Sequence, residues 1–268
     1  MNYHQIFDRL WQDYIAQNPA TKKVYDLFIA EGETVYNDHI AFRTFNDPQI
    51  NIDVLAKVFL KNGYEERGTY KFEEKKLFAK HYEHKTDIHA PRVFISELLT
   101  EVFSDLLQKI VREWIAKIPS GLLRSEELIY SGNVPGVPSF DVYQKLRAES
   151  EYAGWLYVNG FRANHFTVSV NGLKKLDSIQ KVNSFLRSNG FLLNDAGGEI
   201  QGTPEELLEQ SSIKAGIIKI QFLEGIFEVP GCYYEFARRY PDADGKLYSG
   251  FIAKSANKIF ESTNFYKK

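Results

Sequence analysis

Sulfur is nearly missing from this chain. Of 268 residues, one is cysteine, Cys232, and one is methionine, Met1. A single cysteine excludes an internal disulfide and any cysteine-cluster metal site. It suits a reducing compartment, and the cytoplasm is the expected location. Charge of one sign is also lacking. Lys and Arg number 33 against 35 Asp and Glu, and without a long basic run nucleic acid is not an expected partner. No apolar stretch is long enough to span a bilayer. Met1 to Asp8 reads as no secretory signal, because it lacks a basic start and an apolar run. Gly-x-Ser-x-Gly, Walker and Rossmann patterns are absent, and Gly197-Gly198 precedes Glu199 without a nucleotide-loop pattern.

What is present is aromatic. The chain has 20 Phe and 16 Tyr, which suits strands and an aromatic-walled pocket. Its length allows a sizeable core, as one domain or two joined halves. Apolar spacing predicts two helices over residues 3–31, broken at Pro19, then a strand over 36–45. A helix over 48–62, two strands within 64–82, a strand at Arg92 to Ser96 and a helix over 97–118 follow. Gly132 to Pro138 reads as a connector. The order then recurs: a strand at Phe161 to Val170, a helix at Leu176 to Asn189, one or two strands at Ala215 to Phe227, and a strand at Cys232 to Ala237. An internal duplication of strand, helix and several strands therefore spans about 36–100 and about 160–240. The whole of 1–268 reads as one metal-dependent domain, with N-terminal helices and a helical insertion.

The chemistry sits on this repeat. In Asn37-Asp38-His39-Ile40-Ala41-Phe42-Arg43-Thr44-Phe45, period-two alternation puts His39, Ala41 and Arg43 on one face. A histidine and an arginine in an otherwise apolar strand each need a partner if buried. A metal and a carboxylate would serve; a core histidine and a surface arginine are the plainer reading. If the halves pack symmetrically, His39 and His165 face each other and Glu235 completes a set. Two imidazoles and one carboxylate form the facial triad of non-haem iron(II) oxygenases. Glu97 holds a near-equivalent position and is an alternative carboxylate. His81, His84 and His89 read as a solvated turn, and Cys232 as a buried strand residue.

Three motifs carry a resemblance to a known family: His39-Ile40-Ala41-Phe42-Arg43, Asn164-His165-Phe166-Thr167 and Tyr233-Tyr234-Glu235-Phe236-Ala237. They resemble those of the 2-oxoadipate dioxygenase/decarboxylase family, also called 2-hydroxyglutarate synthase, from about residue 3 to the Phe260-Glu261-Ser262-Thr263 segment. The resemblance implies an α+β, vicinal-oxygen-chelate-like fold: duplicated βαβββ modules forming a curved sheet around a metal site, with added helices. It implies iron(II) held by His39, His165 and Glu235, with Arg43 matching the family's arginine. It also implies conversion of 2-oxoadipate and dioxygen to D-2-hydroxyglutarate and carbon dioxide, a step of lysine breakdown.

These readings set expectations for the site. Arg43 is the expected catalytic and specificity residue, pairing bidentately with the far carboxylate of a 2-oxo dicarboxylate. Thr167 and Ser169 share a face with His165, and Tyr233 shares one with Glu235. With His39, these are the expected substrate-binding side chains, although Tyr233 also reads as plain core. Manganese, nickel and zinc accept the same ligand set as iron(II). A metal-dependent hydrolase, lyase or isomerase acting on a small anion, and a non-catalytic binding module, are the alternatives on such a scaffold. Association of identical chains is compatible with all of them.

Overall fold

The computed structural model of the chain describes residues 2–252; the Phe260 to Thr263 segment lies outside them. The described residues form ten strands: β1 Asn37–Phe45, β2 Tyr64–Phe72, β3 Leu77–His84, β4 Arg92–Leu98, β5 Ala163–Ser169, β6 Gln201–Thr203, β7 Leu208–Ser212, β8 Ile217–Phe222, β9 Gly225–Pro230 and β10 Tyr233–Arg239. Eight of them form one curled sheet in the order β2-β3-β4-β1-β5-β10-β7-β6. The centre is an antiparallel β1–β5 pair. Each central strand has a parallel outer neighbour, β4 beside β1 and β10 beside β5. Strands β8 and β9 form a separate hairpin. The Ala215 to Phe227 segment therefore does not enter the main sheet. Its place is taken by β6 and β7, which the hydrophobic pattern does not reveal.

Helices cover the outer face of the sheet. The first, α1 Tyr3–Gln17, starts at a capping box between Asn2 and Gln5, and α2 Pro19–Ala30 begins on the proline that stops it. Trp11 and Tyr14 of α1 pack on Phe166 of β5, and Phe28 of α2 packs on Phe236 of β10. Helix α3 Ile52–Lys61 lays Phe59 against Phe42 of β1. The expected helix over 97–118 is shorter: β4 runs to Leu98, a 3-10 turn follows, and α4 Asp105–Ile115 starts where the Ser104 side chain accepts from Leu107 N. A short α5 Ser120–Leu123 leads to the insertion, α6 Phe140–Glu149 and α7 Glu151–Asn159; α8 Ile179–Ser188 joins β5 to β6. No helix among the described residues is long and apolar enough to cross a membrane.

The inner face differs from the outer one. Along it lie buried Asp38, His39, Arg43, His81, Ser96, Asn164, His165, Thr167, Gln210, Glu235 and Arg239. Buried polar groups are costly unless partnered, so a concave face lined this way is built to hold something polar.

Candidate metal centre

His39 and His165 each follow a polar residue at an irregularity in the β1–β5 pairing. The β1–β5 register shifts between Asn37 and His39, and again opposite Asn164. A bulge interrupts alternation and lets two successive residues reach one side. Asp38 Oδ1 thereby lies 2.8 Å from His39 Nδ1, and Asn164 Oδ1 lies 3.1 Å from His165 Nδ1. Burial would raise the Asp38 carboxyl. Arg239, the hydrogen bond from His39 and the Arg92 charge instead hold it well below the usual carboxylate range. An ionised carboxylate only accepts, so His39 carries its proton on Nδ1 and directs the Nε2 lone pair inward.

Both Nε2 atoms converge on Glu235. His39 Nε2 is 3.6 Å from Oε1, and His165 Nε2 is 3.4 Å from Oε2. One ligand atom from each of the three residues falls within 4.8 Å of the other two. An octahedral shell with bonds of about 2.1 Å has edges of about 3 Å, so the donor set fits a divalent cation after a small contraction. The electrostatics agree. Burial lowers His39 and holds His165 well below the ordinary histidine value, so both imidazoles are neutral donors. Burial pushes the Glu235 carboxyl up to about 8, against the pull of a 2.5 Å hydrogen bond from Gln210 Nε2 to Oε1. A carboxylate only 1 % exposed needs a positive neighbour to ionise, and a metal held by two neutral imidazoles would be that neighbour.

The remaining expected residues lie at graded distances. Thr167 Oγ1 is 3.1 Å from His39 Nε2. The Tyr233 ring stacks on His165 at 4.9 Å, and its buried hydroxyl faces the Arg43 guanidinium. Arg43, 2 % exposed, lies over the rings of Tyr152 and Trp155 at 5.0 and 4.9 Å. Ser169 closes β5 half-buried, its backbone amide on Tyr36 O, and its side chain enters none of these hydrogen bonds.

Glu97 points elsewhere. The β1–β4 register sets Phe94 opposite Ala41 and Glu97 opposite Thr44, so Glu97 belongs to the helix-facing side. There its Oε2 accepts from Ile52 N at the start of α3. The counterpart of Glu235 in the first half is Phe94, because each sits one pleat beyond the residue that pairs with a histidine. His81 is not on a solvated turn. It is buried in β3, between the Tyr70 hydroxyl at 2.9 Å and Glu83 at 3.1 Å. Cys232 is buried just before β10, and burial pushes its thiol up to about 12.

Beyond Arg43 a cleft of about 380 Å³ opens at the end of the half-barrel, with Arg43, Lys76, Phe103, Arg147 and Tyr152 among its walls. The opposite end is closed by Phe251, whose ring meets His39 edge-on at 4.8 Å. The sequence pattern missed Asp38, Asn164, Gln210, Tyr152, Trp155, Arg239 and Phe251. Only the polar residue preceding each histidine left a local signal.

Comparison with known proteins gives this geometry a context. The family model for 2-oxoadipate dioxygenase/decarboxylase matches residues 3–124 and 131–243. The chloroplastic/amyloplastic 2-oxoadipate dioxygenase/decarboxylase of Oryza sativa subsp. japonica is 34% identical, over 98% of this chain and 79% of its own length. The crystal structure of hydroxyglutarate synthase from Oryza sativa, in complex with 2-oxoadipate, superposes with a TM-score of 0.92 at 33% identity, over 98% of this chain and 92% of that one. A Shewanella frigidimarina crystal structure, of a protein provisionally designated a hydrolase, is 49% identical with a TM-score of 0.88, over 93% and 97% of the two chains. A Ralstonia eutropha protein of the glyoxalase superfamily shares the fold, at TM-score 0.76 and 21% identity, over 90% and 83% of the two chains.

Proposed function

The chain belongs to the 2-oxoadipate dioxygenase/decarboxylase family, and on that premise we propose that it is an iron(II)-dependent oxygenase converting 2-oxoadipate and dioxygen to D-2-hydroxyglutarate and carbon dioxide, a step of lysine breakdown. Its ligands are His39, His165 and Glu235, set in a single domain of two βαβββ halves. The observation that carries this reading is the triad itself: three buried donors converging on a polar inner face, with a buried arginine further along the same strand.

Bound iron(II) would supply open coordination positions for the 2-oxo acid end of the substrate and for dioxygen. The chain's own residues do the rest. Asp38 and Asn164 fix the two imidazoles from behind, and Gln210 fixes the carboxylate. Thr167 and Tyr233 stand beside the ligands and orient the bound substrate. Arg43 holds the far carboxylate, its fork kept in place by the Tyr152 and Trp155 rings. The cleft that Arg43 lines is the way in for a dianion. Phe94 and Phe251 keep water from the reacting end.

The test is anaerobic loading with iron(II), then addition of 2-oxoadipate and of dioxygen in either order, with oxygen uptake and carbon dioxide recorded. The expected result is uptake only when both are present, with one carbon dioxide released per dioxygen consumed. Turnover of 2-oxoadipate without dioxygen would instead place the chain among metal-dependent lyases or hydrolases.

A further inference from the structure

One wall of the site is not part of the sheet. After β10 the chain turns back across the end of the half-barrel where His39 sits. Two carbonyls of this returning segment, Tyr248 O and Gly250 O, accept from Arg239 Nη1 at 2.9 and 2.8 Å. The same guanidinium gives Nε and Nη2 to Asp38 at 2.7 and 2.9 Å. Asp38 in turn accepts from His39 Nδ1. At its far end the segment is sewn to the opposite half of the sheet, because Phe251 N donates to the Tyr70 hydroxyl at 3.2 Å. The Phe251 ring then fits among His39 at 4.8 Å, Phe94 at 4.8 Å, the Arg239 guanidinium at 5.1 Å, His81 at 5.4 Å and Tyr70 at 5.9 Å.

We propose that Tyr248–Phe251 is a strap sealing the metal end of the half-barrel, and that Arg239 is the positioning residue that ties its closure to the orientation of His39 through Asp38. The inference rests on reading the triad as a metal centre. Arg239 is 2 % exposed and divides its fork between a carboxylate and two strap carbonyls. Opening the strap would strip acceptors from a buried cation. Losing the cation would leave Asp38 buried and poorly compensated, with only Arg92 at 3.6 Å remaining. Either event loosens the group that fixes the His39 ring. Phe251 adds no hydrogen bond through its side chain; its part is to keep water and competing chelators off the triad.

Cobalt(II) is a suitable probe, since its affinity and visible spectrum report the ligand set without dioxygen or 2-oxoadipate. Failure of this inference is therefore separable from failure of the oxygenase reading. Two quantities are measured on the full chain: equilibrium affinity, and the rate at which excess EDTA strips the bound ion. Phe251→Ala is expected to keep affinity within about three-fold while stripping accelerates about ten-fold or more. Arg239→Gln is expected to weaken affinity about 10–100-fold, as for other groups that orient metal ligands, and also to accelerate stripping. The double variant Asp38→Asn, Arg239→Gln removes both buried charges together, guards against a single variant that does not fold, and carries the same expectation. Wild-type affinity and stripping rate in the folded double variant would overturn Arg239's role. A wild-type stripping rate in Phe251→Ala would overturn the seal. If the unaltered chain binds no cobalt(II), the metal-centre reading falls, and this inference with it.

Discussion

At the scale of single residues, the site is made by what stands behind each donor. A buried histidine becomes a useful donor when its other nitrogen is fixed, and Asp38 and Asn164 do this for His39 and His165. Alternation in the sequence exposes the His39 and Arg43 face, because that face obeys period two. It cannot expose Asp38, which reaches inward only because the strand bulges there. Tyr152, Trp155 and Gln210 were illegible for another reason: they come from distant segments and carry no local pattern. Arg43 supplies the prediction at this scale. Arg43→Ala should cut the kcat/KM preference for 2-oxoadipate over 2-oxohexanoate by about thirty-fold or more, or about 2 kcal/mol, since a charge-assisted bidentate pair is lost. Arg43→Lys, which keeps the charge but not the fork, should also be impaired. Metal affinity should survive both changes. An unchanged preference would make Arg43 a structural residue.

At the scale of elements, register decides what a residue can do. Glu97 and Glu235 look alike in sequence, each carried on the last strand of its half. Glu97 lies three residues past Phe94, the true counterpart of Glu235, and an odd offset turns it to the other face: Glu235 faces the histidines, and Glu97 faces α3 and accepts from its first backbone amide. Sequence similarity across the two halves was too weak to fix that register. Strand β6 was illegible because three residues containing a glycine show no alternation, and β7 because Glu209, Gln210, Ser211 and Ser212 are buried polar residues. Glu97→Ala should therefore destabilise the fold by about 0.5–2 kcal/mol, the usual effect of losing a helix cap, as read by urea denaturation. Metal affinity should be unchanged. A loss of metal with stability intact would return Glu97 to the site.

At the scale of the whole molecule, the two halves form one trough, reached from the Arg43 end and closed at the Phe251 end. Glu33 helps tie the outer helices to the second half. Burial would raise its carboxyl, but the backbone amides of Lys174, Leu176 and Lys175 bind it and hold it below its ordinary value near 4.5. A depressed folded value means that its contribution is present above the unfolded value and fades as pH falls through the folded one. Glu33→Gln should cost about 1–3 kcal/mol at neutral pH, with the gap to wild type closing as the pH falls below the ordinary carboxylate value and through the depressed folded one. A gap independent of pH would mean that shape, not charge, is what Glu33 contributes.

The most direct test of the account follows the oxygen atoms. If carbon dioxide carries away the carboxylate next to the keto group, three oxygens of 2-oxoadipate remain. D-2-hydroxyglutarate contains five, so both atoms of dioxygen must enter the product. Turnover by the iron(II)-loaded chain under ¹⁸O₂ should give 2-hydroxyglutarate carrying two heavy atoms by mass spectrometry, before any exchange with water. Product formed with oxygen from water alone would contradict the oxygenase reading of the His39, His165 and Glu235 centre.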